Sequence, residues 1–320
     1  MTRHYINEFA EQDSVDQIFR ASNKQLRPNR NGDLYLQVDL SDKTGTITAR
    51  MWNASEKTYS LFENGQYVQV EGKTQIFQGT MQLIAKKITR VDPETVNEDD
   101  FIQVAGIQVD HYVLKMTDML RGLHDSNLSV LGECYLMDGD FMAKFASLPA
   151  GVKHHHAYRG GLVQHVATMM ELAKKVADTY PNLDRELLLM GAFLHDTGKT
   201  EELEGDLEFV YSDAGQLLGH IQLGISLLER KILEAEKLSG EPFPPQLALK
   251  LKHLIVSHHG EYEFGSPRLP MTCEALALHC IDLLDSKLTA FEQIYHDDLN
   301  TSSAWTTFVP SLQRKLYKGE

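Results

Sequence analysis

The segment LLLMGAFLHDTGK, residues 187–199, is an apolar run that ends in an imidazole and a carboxylate, His195 and Asp196. Groups delivered this way are partly stripped of water. A buried carboxylate needs a compensating charge, and a divalent cation is the strongest one available. Adjacent helical residues point about 100° apart, so His195 and Asp196 can hold a cation only with help from other segments. Four more apolar segments carry the same kinds of ligand: His165 in GGLVQHVATMM, His220 in LLGHIQLGISLL, His258 and His259 at the end of LKHLIVSHH, and Asp282 in LALHCIDLLDSK. Each taken alone reads first as a hydrogen-bonded core residue, and it is the recurrence over five segments that points to one convergent site. Spacing does not separate Asp282 from Asp285, which lies three residues on and near the same helical face. Imidazoles mixed with carboxylates suit manganese, iron, cobalt, nickel or zinc better than calcium.

These residues need helices to position them, and residues 111–300 supply helical spacing. Expected helices cover 112–126, 130–147, 162–179, 183–195, 217–238, 246–258 and 273–295, with a short helix and tail at the C-terminus. Residues 12–92 read differently. Leu34, Leu36, Val38 and Leu40 alternate with polar positions, a turn at Asp42-Lys43-Thr44-Gly45 follows, and further alternating runs flank a short helical stretch before Gly65 and a turn at Gln78-Gly79. Five short strands with one helix fit a small closed barrel of the oligonucleotide/oligosaccharide-binding (OB) type. Residues 93–110, acidic and carrying Pro93, form the expected linker, and 301–320 the tail. The fold class is therefore multi-domain, an all-β OB-type barrel followed by an all-α bundle.

Charge divides the same way. The whole chain has a net charge of −14, but residues 1–92 carry 12 Lys and Arg against 11 Asp and Glu, so the barrel repels a polyanion far less than the remainder. The three cysteines make no CxxC pair, which disfavours thiolate zinc sites and fits a reducing compartment. The polar N-terminus lacks an apolar signal core and no run of about 18 apolar residues occurs, so a cytoplasmic protein without a membrane span is expected. A helical surface with the tail LQRKLYKGE raises the expectation of a homo-oligomer.

The series His165, His195-Asp196, Asp282 resembles the H…HD…D motif of the HD-domain phosphohydrolase superfamily. HHHAYRGGLVQHV, HDTGK, SHHGEYEFGSPRLP and EALALHCIDLLDSK together resemble the corresponding segments of the YhaM family of bacterial 3′→5′ exoribonucleases, which also place an OB-type barrel before the HD domain. The resemblance implies that His165, His195, Asp196 and Asp282 hold one cation, and that Asp196 bridges to a second held by His220, His258 and His259. It favours Asp282 over Asp285, and manganese first among the cations. Two cations sharing a carboxylate activate water and clamp a phosphodiester for in-line attack. Lys199 is a candidate to neutralise a phosphate oxygen, or else a lysine complementing a helix C-terminus. Arg159 is a candidate grip for phosphate and Tyr158 for a base or sugar, with Gly160 and Gly161 opening the approach. His154, His155 and His156 offer a further ligand or proton donor that the sequence does not single out.

On the barrel, Tyr35, Trp52 and Phe77 are candidates for stacking on bases, with Arg27, Arg30, Arg50 and Lys73 for phosphates. The alternative for Trp52 and Phe77 is the barrel core. The expected function is a 3′→5′ exoribonuclease acting on single-stranded RNA, with single-stranded DNA a further substrate, releasing nucleoside 5′-monophosphates. Two alternatives remain open at this point. One is an HD phosphohydrolase of small or cyclic nucleotides with a structural barrel, which would keep its turnover without residues 1–92. The other is a non-catalytic RNA-binding protein, which would hold no transition metal.

Overall fold

The computed structural model describes residues 3–29, 32–77, 80–97, 100–101, 109–151, 158–205, 209–298, 300 and 303–319. Arg30, His154, His155, His156 and the Gln78-Gly79 turn lie outside the described residues. The chain forms two compact units, Met1–Val104 with Glu292–Glu320, and Ala105–Phe291.

The first unit holds the expected barrel. Strands β1 (Ser14–Pro28), β2 (Leu34–Asp42), β3 (Gly45–Met51), β4 (Tyr67–Phe77) and β5 (Thr80–Arg90) close in the order β1-β2-β3-β5-β4. Only the β3–β5 pairing is parallel; β1 is long enough to pair antiparallel with both β2 and β4 and so seals the barrel. The period-2 alternation of β2 places Leu36, Val38 and Leu40 inside, where they meet Phe19, Val68, Val70 and Leu83. The β2–β3 turn is tight because the buried carboxylate of Asp42 accepts from the Thr44 backbone N–H at 2.7 Å and from the Thr44 hydroxyl at 2.6 Å. A single-turn helix, α1 (Glu56–Tyr59), joins β3 to β4. The buried ammonium of Lys24 caps it, donating to the carbonyls of Tyr59 (2.9 Å) and Phe62.

The second unit is helical: α2 (Val109–Arg121), α3 (Ser126–Leu136), α4 (Gly139–Ser147), α5 (Gly161–Thr179), α6 (Arg185–Leu194), α7 (Lys199–Glu202), α8 (Asp213–Ser239), α9 (Pro245–Ser257) and α10 (Cys273–Asp297), which belongs to this unit up to Phe291. Its core is built on Met116, Leu131, Tyr135, Leu162, Met169, Leu188, Phe193, Leu228 and Leu254. The single helix expected over 130–147 is two. Asp138 interrupts it. Its side chain accepts from the Phe141 N–H at 3.0 Å to start α4, and from the buried Lys231 ammonium at 2.7 Å. A two-stranded ribbon, β6 (Leu203–Glu204) with β7 (Val210–Tyr211), was not anticipated. The short helix expected in the C-terminal segment is, among its described residues, a single 3-10 turn at Pro310–Leu312, enclosed by two nested antiparallel bridges, Val309 with Arg314 and Trp305 with Tyr317. Among the described residues no helix is long and apolar enough to cross a membrane.

Candidate metal centre and nucleic-acid interface

Helix α6 is buried over residues 187–194, because Leu, Met, Ala, Phe and Gly occupy those positions without a polar break. Asp184 starts it by accepting from the Leu187 N–H at 3.0 Å, and His195 is its C-cap. A helix C-terminus leaves carbonyls without partners. The His195 Nδ1–H satisfies one, donating to the Ala192 carbonyl at 2.8 Å. His258 repeats the device at the end of α9, donating from Nδ1 to the Ile255 carbonyl at 2.7 Å. The His259 Nδ1–H donates to the Phe264 carbonyl at 2.9 Å. The remaining two histidines use carboxylates: His165 Nδ1 meets Asp285 at 2.7 Å, and His220 Nδ1 meets Glu202 at 3.2 Å. Carbonyls and ionised carboxylates only accept, so a proton sits on Nδ1 in all five rings. The five Nε2 positions are thereby left to act as ligands.

Those ligand atoms fall into two groups, His165-His195-Asp282 and His220-His258-His259, each able to hold a metal ion. Asp196 lies between them. Its Oδ2 is 3.4 Å from His195 Nε2 and 3.7 Å from His165 Nε2, while its Oδ1 is 3.6 Å from His220 Nε2 and 3.9 Å from His258 Nε2. A cation bonded at about 2.1 Å spaces its ligand atoms about 3–3.5 Å apart, close to these separations. The Nε2 atoms of His220 and His258 are buried with no hydrogen-bond partner, and the chemistry that relieves such an atom here is a cation. The residues present therefore fit a metal centre. Geometry also separates the two aspartates of α10: Asp282 Oδ1 faces His165 Nε2 at 3.4 Å, whereas Asp285 stands behind the same ring.

The charges are strongly coupled. Burial pushes the Asp196 carboxyl up, but Lys199, His195 and His220 outweigh this and hold it well below the usual range. Burial likewise opposes ionisation of Asp282, and His165 and His195 reverse it. For His165, burial disfavours the charged ring, yet Asp282 and Asp285 raise it to about 9. His165 Nε2 and His195 Nε2 approach to 3.2 Å. Burial and the neighbouring imidazoles push His258 well down, and burial lowers His259.

Lys199 opens α7 rather than closing a helix. Its ammonium donates to Asp196 Oδ2 at 2.6 Å and to the Ala150 carbonyl. At the start of α5, Tyr158 donates its hydroxyl to Gln164 Oε1 at 2.8 Å and Arg159 is exposed. Gly160 does not open a path to α5 in this structure. It is buried, and a Cβ there would meet Val109 at 2.5 Å, so its missing side chain accommodates packing. Sequence reasoning passed over Glu202, a buried acid whose signal is only its position seven residues after His195.

On the barrel, the core alternative for Trp52 and Phe77 fails: each is 46% exposed. The Tyr35 and Trp52 rings meet with centroids 5.2 Å apart, and Arg27 stands across from Tyr35 on β1. The Arg50 guanidinium lies 5.8 Å from the Phe77 ring centroid. That is within cation–π range. Lys73 is exposed on β4. The outer face of the barrel around β2, β3 and the end of β4 thus carries aromatic rings and cations, while Leu36, Val38, Leu40, Ile47, Val70 and Leu83 fill the interior.

Residues 162–287 match the HD domain family, and residues 20–91 match the OB-fold nucleic acid binding domain family. The chain is 36% identical over 291 residues to the 3′-5′ exoribonuclease YhaM of Bacillus subtilis (strain 168), spanning 90% of this chain and 89% of that protein. The chain belongs to the YhaM family. The same-named proteins of Geobacillus sp. (strain WCH70) and Listeria innocua serovar 6a are 35% and 34% identical, over 91% and 82% of this chain and 86% and 82% of theirs. Both domains of the family are thus present, and the HD match encloses all seven clustered side chains from His165 to Asp282.

Proposed function

We propose that this YhaM-family chain is a two-cation 3′→5′ exoribonuclease that shortens single-stranded RNA to nucleoside 5′-monophosphates in the cytoplasm. The observation that carries the reading is Asp196, whose two oxygens face two separate sets of Nε2 atoms. His165, His195 and Asp282 with Asp196 Oδ2 would hold one cation; His220, His258 and His259 with Asp196 Oδ1 would hold the other. Manganese is the first candidate, with iron, cobalt, nickel and zinc after it. Such a pair, when bound, activates water at neutral pH and stabilises the attacking and leaving oxygens of a phosphodiester.

The chain's own residues do the rest. The Asp285 and Glu202 carboxylates and three backbone carbonyls fix the rings, so the centre is preorganised. Lys199 brings a positive charge beside Asp196, suited to a nonbridging phosphate oxygen. Arg159 grips phosphate and Tyr158 supports the terminal nucleotide. Residues 12–92 hold the strand upstream by stacking on Tyr35, Trp52 and Phe77, with Arg27, Arg50 and Lys73 on phosphates. In this reading 93–110 is the linker, 111–300 the catalytic domain and 301–320 the tail.

The test uses the full chain with single-stranded RNA labelled at the 3′ or the 5′ end, manganese, and Asp196→Ala in parallel. The 3′ label should appear at once as mononucleotide, while the 5′-labelled strand shortens progressively, and the variant should do neither. No shortening with manganese, iron, cobalt, nickel or zinc would sink the proposal. The same oligonucleotides made as DNA establish the sugar preference, and light scattering the assembly state.

A further inference from the structure

Three of the five clustered imidazoles are held through Nδ1 by backbone carbonyls, which the fold supplies whatever the side chains are. His220 is held by a side chain. Glu202, the last residue of α7, is buried and belongs to neither ligand group. One of its oxygens, Oε1, accepts twice from the same residue: from the His220 backbone N–H at 2.9 Å and from Nδ1–H at 3.2 Å.

The backbone bond exists because α8 is broken one residue earlier. Gly219 has φ 72° and ψ 161°. That conformation is essentially reserved for glycine. The break leaves the His220 N–H at the head of a new helical segment, without its own i−4 carbonyl. Glu202 takes the place of a helix cap and orients the ring at once. The His220 Nε2 that results points to Asp196 Oδ1 at 3.6 Å and has no hydrogen-bond partner.

We propose that Glu202 is the positioning residue of the second cation site: acting through His220, it fixes that ring in register with Asp196 and supplies the charge that makes its Nε2 a stronger ligand. Its loss weakens one cation and spares the other, because the Glu202 carboxylate is hydrogen-bonded to His220 and not to His165, His195 or Asp282. The inference rests on the two-cation reading above, and its test tells the two apart.

Metal-free full-length protein is titrated with cobalt(II), followed by calorimetry and by visible absorption, which reports the coordination of each equivalent. Wild type should bind two ions. Glu202→Gln should bind the first as wild type does and the second about 10–100-fold more weakly. Its thermal midpoint should stay near that of wild type, since a glutamine oxygen still accepts from the His220 N–H. Glu202→Asp, with the charge kept on a shorter arm, should fall between them and serves if the glutamine variant does not fold. In a His220→Ala background, Glu202→Gln should weaken cobalt binding no further, because its effect passes through that ring.

A second equivalent bound equally well by Glu202→Gln and wild type overturns the inference and leaves the two-cation reading standing. So does further weakening in the His220→Ala background, which would make Glu202 act independently. A wild type that takes up a single ion overturns both.

Discussion

The glycine of HDTGK is where α7 meets α8, and Gly198→Ala is the sharpest test of how that contact serves the site. Gly198 has φ −63° and ψ −16°. Alanine adopts that conformation without strain, so the effect is purely steric. A Cβ added there would stand 2.0 Å from the His220 carbonyl oxygen, 2.5 Å from the Gly224 nitrogen and 2.9 Å from the Gly224 Cα. All three are backbone atoms of α8, and none can rotate away. Clearing the closest contact needs the two helices to part by at least about 1 Å, and overpacking of this kind destabilises by about 1–3 kcal/mol. A backbone-on-backbone clash belongs at the upper end of that range. At roughly 2–4 °C per kcal/mol for a domain of this size, the helical unit should melt about 6–12 °C lower. The same displacement carries His220 away from Asp196, so affinity for a second cation should fall alongside. Scanning calorimetry with a parallel cobalt titration measures both. Gly139→Ala is the control. It lies at the start of α4 with nothing within 4 Å of the added methyl. Its midpoint should hold or rise slightly, since alanine is the better helix former. A Gly198→Ala midpoint within about 1–2 °C of wild type, on the order expected of a neutral surface change, would refute the argument.

Trp52→Ala should lower the barrel's melting only modestly, because the ring is half exposed and packs on Tyr35 at the surface. It should weaken single-stranded RNA binding by about 1–3 kcal/mol, roughly 5–150-fold, in a fluorescence anisotropy titration. Unaltered affinity would remove Trp52 from the interface. Asp138→Asn keeps an oxygen for the Phe141 N–H but loses the charge facing Lys231. Lys231 holds the Asp138 carboxyl below its ordinary value. This ion pair therefore contributes fully above the unfolded carboxyl pKa of about 3.9 and fades as pH falls through the lower native value. The gap in melting temperature between wild type and Asp138→Asn should be widest near neutrality and close below about pH 4. A gap that ignores pH contradicts the ion pair.

Sequence alone determined the five barrel strands, most of the helices and the candidate ligand set. A period of 2 in β2 and a buried run in α6 are local patterns, and burial follows from them directly. The seven ligand-type residues stood out because histidine and aspartate are anomalous in apolar helices. The boundaries it misplaced were set by side-chain caps: Asp138 divides what reads as one helix, since its hydrogen bonds to the Phe141 N–H and to Lys231 are invisible in the hydrophobic pattern. What only the tertiary structure decided were questions of direction. Asp282 and Asp285 share a helical face, and three residues of spacing cannot say which meets the Nε2 side of His165 and which the Nδ1 side. Trp52 and Phe77 suit a core or a stacking face equally by composition, and barrel closure turned them outward. Glu202 gained its meaning from a fold-level contact, the return of α8 across α7 at Gly198, which brings His220 over an acid 18 residues earlier in the chain. The His195-Asp196 pair is therefore legible in sequence as a candidate ligand pair. Its character as the centre of two facing sets of imidazoles depends on long-range packing, because no local rule fixes where the Nε2 of a distant helix will point.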